Sequence, residues 1–152
     1  MKVGHVLEQK GLRSFSTTKN QSLTEAAALM AEHRIGSLVI MEHDKVTSIV
    51  TERDVMMAVG RSHGEISNVK VEDVMAPSLV TCDVDDTIDQ VMDLMINNST
   101  GHRIRHLPVL KEGELAGVIS VSDVVEALLT KIEFENKLLK NYIKNWPDGE
   151  GA

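Results

Sequence analysis

The hydrophobic positions of this chain change period in a fixed order, and the whole order occurs twice. Apolar residues at helical spacing over Val3 to Lys10, and again over Val71 to Met75, predict two short opening helices. A brief apolar stretch follows each, Phe15 to Thr17 and Leu79 to Cys82, and predicts a short strand. A hydroxyl then precedes a second helical run. Ser22 stands ahead of Leu23, Ala26, Ala27 and Met30, and Thr87 ahead of Ile88, Val91, Met92 and Met95. Ser22 and Glu25 have capping-box spacing, and Asp85 and Asp86 lie where a helix dipole favours anions. Two apolar runs, Ser37 to Met41 and Val46 to Val50, then flank polar Glu42 to Lys45. In the second copy Leu107 to Leu110 and Leu115 to Ser120 flank Lys111 to Glu114, so each copy predicts a hairpin. After Asp54 and Asp123 the period is helical again. The expected fold class is α+β: helix, strand, helix, strand, strand, helix, twice.

The two copies also agree residue by residue. Ser48 to Asp54 (Ser-Ile-Val-Thr-Glu-Arg-Asp) matches Gly117 to Asp123 (Gly-Val-Ile-Ser-Val-Ser-Asp), with Thr51 to Ser120 and Asp54 to Asp123 both 69 positions apart. The spacing is 68 at the opening helices and 65 at the second helices, which locates an insertion near Asn97 to His102. An ordered register with one altered loop is the mark of a duplicated supersecondary unit. The expected division is repeat 1 over 1–60, a polar linker over 61–70, repeat 2 over 71–130, and a helical extension and tail over 131–152. A unit of about 60 residues is marginal alone, so the repeats are expected to pack as one pseudo-twofold module. The last helix runs on through Leu128, Ile132, Glu135, Leu139, Tyr142 and Trp146 until Pro147 and Gly149 stop it. Two roles are open for it: a brace across its own module, or a surface for a second copy.

Composition narrows the function. An apolar fraction of 42% supports a core, and an aromatic fraction of 3% makes it an aliphatic one. The formal charge of −7 argues against a broad nucleic-acid or anionic-membrane surface, so phosphate recognition must be local. Cys82, the one cysteine, can form no internal disulfide. No apolar run approaches the roughly 18 to 20 residues of a membrane span, and Met1 to His5 has no signal-peptide character, so a cytoplasmic protein is expected. Six histidines show no metal-ligand spacing, and Gly60 to Gly64 lacks the phosphate-loop Gly-Lys ending, so no metal site is expected. No nucleophile, base and oxyanion donor can be named together, so no catalytic residue and no enzyme activity are expected.

Three features can carry binding chemistry. Thr51 with Asp54, and Ser120 with Asp123, have the spacing of helix caps; the same carboxylates can accept both hydroxyls of a ribose beside a helix N-terminus. Arg105 and His106 precede the strand Leu107 to Val109, either as a solvated basic turn or as a phosphate fork. Gly36 and Ser37 stand at the equivalent place in repeat 1, so the two clefts cannot be equal. Arg53 adds charge to the Thr51 to Asp54 turn, where repeat 2 has Ser122.

The paired phrases Ser48 to Asp54 and Gly117 to Asp123, with Ile35-Gly36-Ser37-Leu38-Val39 and Ile104-Arg105-His106-Leu107-Pro108-Val109 before them, resemble a tandem pair of CBS domains. The resemblance covers residues 1 to 130 and is closest to small stand-alone bacterial CBS pairs. It implies two inter-repeat clefts for adenosine-containing ligands, AMP first, with ATP, ADP, NAD(H) or S-adenosylmethionine as others. By the same resemblance Asp123, Ser120, Asp54 and Thr51 hold the ribose, while Arg105, His106 and Arg53 hold phosphate. The adenine pocket it implies draws on Ser16, Thr17, Val80, Thr81, Cys82, Ile119 and Pro108. The implied role is a homodimeric regulatory sensor of energy or redox state that signals to an unidentified protein effector, with a ligand-free interaction module as the alternative. Arg105 and His106 are expected to serve the cleft that holds Asp123.

Overall fold

A computed structural model of the chain describes residues 1–11 and 15–145. Trp146, Pro147 and Gly149 therefore lie outside the described residues. The elements of repeat 1 are α1 (Val3–Lys10), β1 (Ser16–Thr17), α2 (Leu23–His33), β2 (Ser37–Glu42), β3 (Lys45–Thr51) and α3 (Glu52–Arg61). Those of repeat 2 are α4 (Val71–Val74), β4 (Cys82–Asp83), α5 (Ile88–Ile96), β5 (His106–Lys111), β6 (Glu114–Ser120) and α6 (Val121–Lys144). The order is the predicted one. The short strand of repeat 2 falls later than Leu79 to Cys82, because Cys82 and Asp83 are the residues that pair with Val109 and Leu110. α3 runs through Gly60 to Arg61, so the linker begins later than the polar composition indicates.

Each repeat builds a three-stranded sheet, β1-β2-β3 or β4-β5-β6, with its first pair parallel and its second antiparallel. The hairpin turns place His43 and Asp44 (φ 50° and 64°), and Glu112 and Gly113 (φ 52° and 82°), in the left-handed region, which matches the twist of the flanking strands. Both hairpins slip register at the same place, between Ile40 and Met41 and between Val109 and Leu110. Leu38, Val39 and Ile40 are all fully buried, a run that a strand can carry only when both its faces are covered. Helices cover one face, and contacts of β3 with β5 and β6 close the other.

The helix that opens each sequence repeat packs in the core of the other repeat. Val3, Val6 and Leu7 of α1 join Cys82, Val91, Leu107 and Ile119, whereas Val71 of α4 joins Leu23, Leu38 and Val50. Backbone bonds seal the exchange: Val3 N–H to Asp86 O and Gly4 N–H to Val84 O on one side, Leu23 N–H to Val69 O and Val71 N–H to Gln21 O on the other, all at 2.9 Å. Gly117 makes room for α1, since a Cβ there would sit 3.3 Å from both methyls of Leu7.

Ser22 and Thr87 cap α2 and α5 as the sequence predicts. Of these two, Thr87 closes a full box, through Gln90; at α2 the Glu25 carboxylate instead accepts from the Gln21 amide. α6 does not brace its own module along its length. Val124, Ala127 and Leu128 pack inward, and every described residue beyond Leu128 is exposed.

Candidate functional site

The two strand-to-helix junctions are built alike. Thr51 caps α3 and Ser120 caps α6, with Asp54 and Asp123 returning a carboxylate oxygen to the Thr51 and Ser120 N–H groups at 2.8 Å each. The capping reading of both pairs therefore holds. Each junction is also tied to the loop before the central strand, through Glu52 N–H to Gly36 O and Val121 N–H to Arg105 O, both at 2.9 Å. Gly36 and Arg105 thus hold equivalent positions, and their difference falls at the clefts.

The clefts are assembled across the repeats, and Arg105 does not line the one that carries Ser120 and Ser122, the neighbours of its expected partner Asp123. Arg105 lines a cleft of about 1590 Å³ together with Thr51, Arg53, Asp54, Arg61 and Arg103. Its carbonyl anchors it to the start of α6, while the residue lines the space shared with repeat 1. Asp54 uses Oδ2 for the Thr51 N–H and hydroxyl, leaving Oδ1 without a protein partner among the described residues. Four arginines from both repeats therefore line one cleft, together with the carboxylates of Glu52, Asp54 and Asp73. In the sequence Arg103 belongs to the basic turn before β5 and Arg61 to the glycine-bearing start of the linker; nothing there placed them together.

The other cleft, about 670 Å³, contains Ser120 and Ser122 with Lys10, Phe15, Arg34 and Glu52. Asp123, next to Ser122 in the chain but not on the lining of this cleft, is already paired. Lys10 Nζ donates to Asp123 Oδ2 at 2.7 Å and to Val118 O at 3.0 Å, and the Asp123 side chain keeps 16% exposure. The exchanged α1 delivers this ammonium, a long-range placement with no local sequence signal.

His106 lines both clefts. Its Nδ1 is buried with no hydrogen-bond partner among the described residues, and its Nε2 lies where a Cβ on Gly36 would be 2.9 Å away. Burial pushes its pKa below the ordinary histidine value, against the opposing pull of Glu52 and Asp123. At neutral pH it is a neutral imidazole, not a second cation beside Arg105.

The residues expected around adenine divide. Val80 lines the larger cleft, and Thr81 is half-buried beside it in the chain. Ser16 and Thr17 pair with Val39 and Ile40, and Phe15 just before them lines the smaller cleft, stacked on His33 with centroids 4.0 Å apart. Cys82 and Ile119 belong to the second core, and Pro108 is buried in β5 opposite Val118. Burial, and secondarily Asp86 and Asp83, push the Cys82 thiol up to about 12. Among the described residues no group of three His, Cys, Asp or Glu side chains is set to hold a metal, and no helix is long and apolar enough to cross a membrane.

Two facing α+β repeats with clefts between them make up one tandem-repeat module. The family model for the CBS domain matches residues 13–61 and 71–130, and the chain belongs to the CBS-domain family. A 17.7 kDa protein from the bps2 3' region of Acidianus ambivalens is 37% identical over 112 residues, 72% of this chain and 64% of that protein. The chain thus spans just under two thirds of that relative. The crystal structure of the CBS-domain containing protein ATU1752 from Agrobacterium tumefaciens is 36% identical, with a TM-score of 0.75 over 84% of this chain and 98% of that one. The CBS domain pair of protein MJ0100, solved with 5'-methylthioadenosine and S-adenosyl-L-methionine, is 25% identical, with a TM-score of 0.71 over 86% and 98% of the two chains.

Proposed function

We propose that this CBS pair is a non-catalytic sensor that takes a phosphate-bearing adenosine ligand into the larger cleft, AMP foremost, with ADP, ATP and NAD(H) as further ligands. The observation that carries this reading is the convergence of Arg53, Arg61, Arg103 and Arg105 on the cleft that holds Asp54. Asp54 Oδ1 accepts the ribose hydroxyls and the guanidinium groups hold phosphate, to which Arg presents a planar two-pronged donor. MJ0100 supports the adenosine class, being solved with two adenosine derivatives. Acting as a homodimer, the protein passes its liganded state to a protein effector.

Calorimetry on Arg105→Ala tests the assignment. Removing a charged hydrogen bond worth about 1.5–3 kcal/mol should weaken AMP roughly tenfold to more than a hundredfold. Adenosine, which has no phosphate, should be nearly unaffected. Equal losses for both ligands would reduce Arg105 to a structural element of the cleft wall.

A further inference from the structure

We propose that α6 pairs with α6 of a second copy of this chain as a short parallel two-stranded coiled coil, registered by Asn136. The proposal rests on the homodimer reading above and gives it a surface. Val125, Leu129, Ile132, Leu139 and Ile143 are between 48 and 58% exposed. Together with Asn136 they recur at alternating spacings of four and three along the 24-residue helix. In heptad terms Leu129, Asn136 and Ile143 occupy a, while Val125, Ile132 and Leu139 occupy d. This is the narrow seam of a coiled coil, and a single helix has no means of burying it.

Charge and the lone amide decide what covers the seam. At the flanking positions Glu133 and Lys140 fall at e, and Glu135 falls at g. In a parallel pair Glu135 meets the partner's Lys140, and does so twice by symmetry. An antiparallel pair that aligns the same layers, Asn136 against the partner's Ile132, sets Glu133 and Glu135 each against its own twin. Those two like-charge pairs cancel the two Glu126–Lys140 contacts the same arrangement makes, whereas the parallel pair keeps its attraction unopposed. Asn136 agrees with the parallel choice: a buried amide is costly against aliphatic neighbours but finds donor and acceptor in the partner's Asn136. Leu129 at a and Ile132 at d would by themselves suit larger assemblies, and Asn136 one turn later selects two strands in one register.

Cysteine crosslinking of the full chain distinguishes these arrangements. Cys82 is buried, so a Leu139→Cys protein carries one accessible thiol. Parallel pairing puts the two new thiols face to face, and mild oxidation should convert most of the protein to a disulfide-linked species of twice 16.7 kDa. In the antiparallel pair they stand about 15 Å apart, roughly ten residues along the helix, and cannot join. Light scattering before oxidation separates the two levels of the inference. A monomer at micromolar concentration overturns the homodimer reading and the seam together. A dimer that fails to crosslink in the Leu139→Cys protein, or that Ile132→Glu leaves intact, overturns the seam alone. Dissociation by Ile132→Glu with unchanged helical circular dichroism is the result expected.

Discussion

Asp54 and Asp123 are twins in backbone geometry and opposites in availability, which makes them a matched pair for testing the ribose assignment. Each closes a capping box, with its carboxylate 2.8 Å from the cap N–H and the cap hydroxyl 3.1 to 3.3 Å from its own N–H. Substituting either by Ala should cost about 1 kcal/mol of helix capping, or roughly 2–4 °C in Tm for a chain of this size. Asp123→Ala should cost somewhat more, because it also strands Lys10. Affinity should separate the two. Asp54→Ala removes the acceptor proposed for the ribose hydroxyls, a loss of about 1.5–3 kcal/mol, and AMP should weaken roughly tenfold to more than a hundredfold. Asp123→Ala, whose carboxylate is occupied by Lys10, should leave AMP within about twofold of the wild type. Calorimetric titration and thermal unfolding on the same preparations measure both quantities. Wild-type AMP affinity in a folded Asp54→Ala protein, or an equal loss in both variants, would falsify the assignment of the ribose to the larger cleft.

Three further outcomes follow from the site. Gly36→Ala forces a methyl to within 2.9 Å of His106 Nε2 and 3.2 Å of Glu52 Oε1; overpacking of this kind costs about 1–3 kcal/mol, read as a lower denaturant midpoint at an unchanged slope. His106 is half-buried with its pKa lowered, so the unfolded state binds more protons than the folded one as pH falls through 6.5. Stability should therefore decline from about pH 7 downward and level off below the lowered folded-state pKa, and His106→Gln should flatten that part of the profile. The Cys82 thiol, buried and raised to about 12, should resist alkylation at about pH 8 and react only as fast as the fold opens, so labelling and unfolding rates should agree across denaturant.

Periodicity made the architecture legible, because each repeat switches between helical and alternating spacing at its element boundaries and the duplication confirms every switch. Caps were legible for the same local reason: Ser22, Thr51, Thr87 and Ser120 each precede an apolar helical run. The composition of the clefts was not. Val3, Val6 and Leu7 announce an apolar helix face but not which core receives it, and the exchange of α1 decides that Lys10 reaches Asp123. Arg105 adjoins the Ser120 junction through its backbone, so the local pattern pointed to Asp123, whereas Arg105 lines the same cleft as Asp54. Two of the four arginines of the larger cleft, Arg61 and Arg103, come from a linker and a basic turn whose meeting in space has no local sequence signal.

The exchanged opening helices have a consequence for how the gene can be cut. A fragment ending at the boundary between the sequence repeats would carry α1 with no core to enter, and its own core would lack the groove-filling Val71. Two such fragments would repair each other, each lending its first helix to the other, so a half-length polypeptide is expected to survive only as an intertwined pair. The exchange is also why a lysine from the first helix guards a carboxylate more than a hundred residues away in the chain.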